Sequence, residues 1–206
     1  MTKDRAESVR ARLLNIAKAT GVDFNQVLVR FALERFLYRL SFSAHADRFV
    51  LKGALLFTLW YGMPHRATRD ADLLGFGPSD KETVADMFRE IAAVVADDGI
   101  VFDPASVTAE DIRKNAGYDG LRVLLMGVLA NARCHTQVDI GFGDAVTPGP
   151  DQAVYPVLLD DLPAHDALAR VLLAEAHFGK AGGIGVVQHC HVATDDVLEG
   201  LLGGQA

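Results

Sequence analysis

Apolar positions at the start of the chain repeat at helical spacing. Val9, Leu13 and Ile16 share one stripe between Glu7 and Ala19, Arg10, Arg12 and Lys18 lie elsewhere on the surface, and Gly21 stops the run. Asp23 or Asn25 can cap a second helix from Gln26 to about Leu40, with Val27, Leu28, Phe31, Leu37 and Leu40 inward and Arg30, Arg35 and Arg39 largely outward. Its apolar stripe is wide, which predicts a helical pair wrapped onto the rest of the domain and covered on more than one side. The pattern then shortens. Phe49-Val50-Leu51 is an apolar run ending at Lys52-Gly53, and Ala54 to Tyr61 reads as a helix stopped by Gly62 and Pro64. Thr68 to Phe76 alternates around two aspartates, so a strand here points positions 70 and 72 to the same face. Ser79-Asp80 caps a helix through about Ala96, ended by Asp97-Asp98-Gly99. Strand candidates follow at Ser106–Arg113, Leu121–Leu129 and Thr136–Phe142. Gly143 to Pro150 is rich in turn residues, and Tyr155–Leu159 is a candidate last strand. No internal repeat is present, and the element order predicts an α+β fold.

Three segments break the apolar pattern in a way that points to chemistry: Lys52-Gly53-Ala54, the pair Asp70-Ala71-Asp72, and Gln137-Val138-Asp139-Ile140. Two aspartates one residue apart arise by chance in many acidic proteins, and one aspartate between Val138 and Ile140 suits an edge strand or loop; their order along the chain singles them out. A carboxylate in the middle of a buried-looking strand needs a positive partner to offset its lost hydration, and a divalent cation is the most economical one. Mg²⁺ takes hard oxygen ligands, a few carboxylates together with substrate phosphates. Asp70, Asp72 and Asp139 are therefore the candidate catalytic carboxylates and metal ligands for two Mg²⁺ ions. Such a pair suits in-line phosphoryl or nucleotidyl transfer: one ion would lower the pKa of the attacking hydroxyl, and the other would neutralise the triphosphate of a nucleoside triphosphate (NTP) and the departing pyrophosphate. Gly53 ahead of a helix lets backbone N–H groups approach a phosphate; a tight strand-to-helix turn explains it equally well. Arg66, Thr68 and Arg69 stand just before the carboxylates. One arginine is expected on the triphosphate or the acceptor backbone, unless both pair with surface acids, and Lys52 carries the same two readings.

Composition narrows the class. The 206 residues suit one domain with a small helical appendage, and half of them are hydrophobic with 23% charged, as in a folded domain of ordinary kind. No run approaches a membrane span and the N-terminus lacks a signal-peptide core, so a cytoplasmic chain with no membrane partner is expected. The net charge of −7 argues against a general nucleic-acid coat, yet residues 1–70 hold 12 Lys/Arg against 6 Asp/Glu while the remainder holds 8 against 21. Such a division suits phosphate at one end and metal or a basic partner at the other, or simply solvated helix faces. Cys134 and Cys190 are too few for a disulfide framework. His189-Cys190-His191, even with Cys134 and His135, places adjacent ligands that rarely converge on one ion, so no zinc site is expected.

Residues 49–57, from Phe49 through Lys52-Gly53-Ala54 to Phe57, then Arg66-Ala67-Thr68-Arg69-Asp70-Ala71-Asp72-Leu73, then Val138-Asp139-Ile140-Gly141-Phe142-Gly143-Asp144, resemble the AbiEii/AbiGii toxin family of nucleotidyltransferases. The resemblance spans about residues 5–163. It implies a polymerase-β-like nucleotidyltransferase core preceded by the helical pair, with Gly53, Asp70, Asp72 and Asp139 on the motif positions and Lys52, Ala54, Arg66, Thr68 and Arg69 around the nucleotide. It further implies transfer of a nucleotide from an NTP to an RNA 3′ hydroxyl, in studied relatives that of tRNA, and control by a separately encoded antitoxin. Ala54 departs from the Gly or Ser common in the superfamily, which removes a hydroxyl contact to phosphate.

The C-terminal part departs further. The family carries E-K-L-E-A-L-V and then an I-A-x-S-R-M-K-D-like stretch supplying a lysine and another aspartate; here residues 164–206 are Ala-, Gly- and His-rich, with Gly182-Gly183-Ile184-Gly185 breaking any helix. Codon degeneracy lets Gly179 through Val187, read one nucleotide forward, encode E-K-L-E-A-L-V, so a frameshift between Pro163 and Gly179 is expected. The chain accordingly divides into a nucleotidyltransferase domain at 1–163 and a divergent, poorly ordered tail at 164–206 in which residues up to Ala176 keep helical spacing. The alternative to an active enzyme is an inactive remnant that still binds nucleotide, RNA or antitoxin; a phosphohydrolase or plain metal-binding domain is a third reading.

Overall fold

Helix α1 (Lys3–Thr20) buries Ala6, Val9, Leu13 and Ala17 at the three- and four-residue spacing of one helix face. It begins with Asp4 and ends near Lys18, each sign suited to its end of the helix dipole. In α2 (Phe24–Ser41) the cap is Asp23, whose side chain accepts from the Asn25 and Gln26 N–H groups. This computed structural model describes residues 3–56, 68–114, 118–143 and 153–164. A 3-10 turn at Ala46–Arg48 leads into β1 (Phe49–Lys52), and a second, Gly53–Leu55, leaves it. Strand β2 (Asp70–Gly75) is followed by α3 (Lys81–Ala93), capped by Asp80 through Thr83 N–H at 2.9 Å. Three long strands complete the core: β3 (Ile100–Lys114), β4 (Tyr118–Leu129) and β5 (Ala132–Phe142).

The sheet order is β1-β2-β5-β4-β3. The pair β2–β5 is parallel, and every other neighbour is antiparallel. Alternation then divides the sheet into two faces. On one, the β5 residues Cys134, Thr136, Val138 and Ile140 are buried with Ala71 and Leu73 of β2 and Leu121, Val123 and Leu125 of β4. The helices cover that face. Phe36 of α2 stacks with Phe88 of α3 at 5.4 Å and meets Phe102 of β3 edge-on at 5.5 Å, while Phe88 meets Phe49 of β1 at 5.5 Å. Each such buried aromatic or aliphatic side chain contributes roughly 1.5–3 kcal/mol. The opposite face carries the polar members of β2, β4 and β5.

The fold is α+β with the helical pair ahead of a five-stranded mixed sheet, as expected. Five local expectations need correction or lie out of reach. Arg35 and Arg39 do not face outward: both are fully buried, because Arg39 finds Asp98 and Arg35 finds Glu34 and the Pro163 carbonyl. Tyr155–Leu159 is no strand; Tyr155 forms a single bridge and the chain turns at once, its Leu158 N–H donating to Glu34 at 2.8 Å. Helix α3 stops at Ala93, with Val94 extended at ψ 123°. Strand β3 starts six residues before Ser106, its pairing shifting between Asp103 and Thr108 around Pro104. Of the helix expected from Ala54 to Tyr61, the first residues form the 3-10 turn, and residues 57–67, like 144–152 and the tail from 165, lie outside the described set.

Candidate active site

The polar face of the sheet is organised by register. Lys52 of β1 is the partner of Asp72 in β2, Asp72 of Asp139 in β5, Asp139 of Arg122 in β4, and Arg122 of Glu110 in β3. One straight row across all five strands thus reads plus, minus, minus, plus, minus. Asp70 stands one step along, opposite Gln137. Since side chains repeat every second residue, Asp70 and Asp72 share this face, as their spacing required. All three aspartates are half-buried.

A cleft opens over the row, lined by Lys52, Asp72, Ile112, Gly120, Asp139, Ile140 and Gly141. It brings together two of the three predicted carboxylates and the predicted lysine. Gly53 lies at its edge with φ +75°, and a Cβ there would sit 2.2 Å from Asp72 Oδ2 and 2.8 Å from its Cγ. Both the backbone angle and the close approach of the carboxylate demand glycine. Ala54 follows in the 3-10 turn, half-buried; Thr68 is half-buried and Arg69 exposed on the approach to β2, and none of the three lines the cleft. Arg66 lies outside the described residues.

Two site residues were not anticipated from the sequence. Arg122 grips Asp139 with both arms of its guanidinium, Nε to Oδ1 at 2.9 Å and Nη2 to Oδ2 at 2.8 Å, and Gln137 Nε2 donates to Oδ1 at 3.1 Å. The bond to Asp139 holds the Arg122 pKa above its ordinary value against the opposing cost of burial, and the charges of Asp139, Glu110 and Asp70 add attraction. A signal existed: Arg122 is the one basic residue in the apolar run Leu121–Leu129, and Gln137 sits two positions from Asp139 on the same strand face. Its meaning depended on knowing that β4 is the neighbour of β5.

Among the described residues no three His, Cys, Asp or Glu side chains converge as an ion cage would. The donor chemistry nevertheless fits a hard cation. Asp72 and Asp139 supply carboxylate oxygens from adjacent register positions in one cleft, and Mg²⁺ commonly takes one or two carboxylates and fills its octahedron with water and phosphate. Lys52 stands beside them, in register with Asp72 and lining the same cleft. Cys134, by contrast, is buried in the core with its thiol pushed up to about 11 by that burial, unlike a ligand sulfur; His189, Cys190 and His191 lie outside the described residues.

The family model described as nucleotidyl transferase AbiEii toxin, type IV TA system, matches residues 35–180. The matched span holds every site residue named above and continues past Pro163. No curated protein and no solved structure matches the chain.

Proposed function

Because the chain belongs to the AbiEii family of nucleotidyl transferase toxins of type IV toxin–antitoxin systems, we propose that its cleft transfers a nucleotide from an NTP to the 3′ hydroxyl of an RNA, tRNA being the first candidate. The observation that carries this reading is the register that sets Asp72 beside Asp139 in one cleft with Lys52 on the flank. In this reading Asp70, Asp72 and Asp139 hold two Mg²⁺ ions. Bound there, Mg²⁺ supplies a lowered pKa for the attacking hydroxyl and neutralisation of the triphosphate. The chain's own residues do the positioning. Lys52 and one of Arg66 and Arg69 take phosphate oxygens, and the Gly53 turn brings backbone N–H groups close to them. Attack of the RNA 3′ oxygen on the α-phosphorus forms the new P–O bond as the bond to pyrophosphate breaks. The protein acts in the cytoplasm under the control of its antitoxin; no helix among the described residues is long and apolar enough to cross a membrane.

The test is incubation with α-labelled NTPs, Mg²⁺ and total tRNA. Label should appear on RNA, and Asp72→Asn or Asp139→Asn should abolish it, a loss of at least about 100-fold for a group acting only on the transition state. Retained labelling in both variants removes these residues from the mechanism. Released phosphate without labelled RNA would identify a phosphohydrolase instead, and an inert preparation that still binds NTP would identify a remnant.

A further inference from the structure

We propose that Arg122 decides which divalent cation this site accepts, by barring Asp139 from chelating one with both oxygens. The inference rests on the reading of Asp139 as a ligand and adds a selectivity residue to it. An ionised carboxylate presents about four lone-pair positions, two on each oxygen. The guanidinium fork lies across Oδ1 and Oδ2 together, through Nε at 2.9 Å and Nη2 at 2.8 Å. That two-pronged approach fills the same side of the carboxylate that a chelated ion would use. Gln137 Nε2, at 3.1 Å, takes a second position on Oδ1. One position then remains, on Oδ2, and it admits a single metal–oxygen bond.

Cations differ in how much they mind this. Mg²⁺ is small and octahedral and is satisfied by one oxygen from each carboxylate, whereas Ca²⁺ takes six to eight oxygens and often gathers two from one carboxylate. With Arg122 in place, Asp139 meets the first requirement and denies Ca²⁺ the second. Arg122 is itself kept at this task, since Glu110 and Asp70 attract it along with Asp139 and its place in β4 is set by pairing with β5. The pair is partly solvated, the Arg122 side chain being 35% and the Asp139 side chain 18% accessible, so substituting Arg122 leaves the fold standing.

Competition binding on the full chain without nucleotide reads this directly. Mn²⁺ bound to the protein is followed by electron paramagnetic resonance and displaced by Mg²⁺ or by Ca²⁺, and the ratio of the two displacement constants is compared among variants. Arg122→Gln should move that ratio toward Ca²⁺ by about tenfold, a usual size for the loss of a group that orients a metal ligand. Removing the positive charge strengthens both cations alike, so it cancels in the ratio. Arg122→Lys keeps the charge but not the fork, and its ratio should move in the same direction. Gln137→Ala leaves the chelating side covered and should keep the wild-type ratio. An unchanged ratio in Arg122→Lys and Arg122→Gln, or an equal shift in Gln137→Ala, overturns the proposal. Mn²⁺ binding that Asp72→Asn and Asp139→Asn do not weaken removes the ligand reading itself. Binding that they do weaken, with unmoved ratios, removes only the role of Arg122.

Discussion

Gly53 occupies left-handed backbone immediately against the Asp72 carboxylate, so its lack of a side chain and the aim of that carboxylate are one arrangement. Gly53→Ala has to strain the turn and push Asp72 aside at once. We expect it to lower stability by about 1–3 kcal/mol, as for other strained backbone positions, and to reduce nucleotide transfer more than the fall in melting temperature accounts for. Parallel melting and labelling assays check this, and a fully active variant of lowered stability would show that Asp72 tolerates displacement. Glu34 offers a different test. It lies 2% exposed, beside Arg35, and burial pushes its carboxyl up to about 7 although Arg35 and the Leu158 N–H pull it down. Its folded pKa therefore exceeds its unfolded value, and over that interval the folded chain holds more protons than the unfolded one. The contribution is whole below the unfolded pKa of 4.5 and is lost as pH rises through about 7. Relative to wild type, Glu34→Gln should gain stability between pH 5 and pH 8, by at most about 3 kcal/mol. Denaturant midpoints at the two pH values measure it; a constant difference would contradict the assignment.

Helices α1 and α2 and strands β2, β4 and β5 were legible because their periods are local properties: Val9, Leu13 and Ile16 repeat along one helix, and Asp70 and Asp72 along one strand. The buried arginines were not, since nothing near Arg39 in the chain announces its partner. Arg39 donates to Asp98 at 2.7 and 3.0 Å and to the Ile100 carbonyl at 2.9 Å, and lies 5.0 Å from the Phe102 ring centre, pinning α2 to the start of β3. Asp98 had looked like part of a helix-ending turn; it is instead a buried counter-ion. Asp98→Ala leaves a guanidinium buried without its charge partner, and we expect about 3–5 kcal/mol of destabilisation. Urea unfolding checks this, and a loss below about 1 kcal/mol would mean that the pair is as weak as a surface one. The segment at 153–164 was misread for a related reason. The candidate strand Tyr155–Leu159 lies in a stretch that is held instead by side chains of the helices, Glu34 on Leu158, Arg35 on Pro163, and Arg5 and Arg12 on Asp161.

At the scale of the molecule, the described residues put the helices and aromatic core on one face of a five-stranded sheet and the charged row on the other. The three aspartates could be picked out in advance because carboxylates disturb an apolar alternation; that Asp72 and Asp139 are direct neighbours, and that Arg122 stands next in line, depended on strand order, which no local pattern encodes. That order includes a single parallel pair, β2 with β5, and all of α3, β3 and β4 is made between its two members. Closing so long an intervening stretch is slow compared with forming the β3–β4–β5 meander, whose neighbours are adjacent in the chain. During synthesis, then, Asp72 emerges early but waits for β5 before it has a counterpart. A ribosome carrying a copy whose β5 has not yet emerged is therefore not exposed to an assembled cleft, and the hazard of the toxin's activity begins only once β5 has paired with β2.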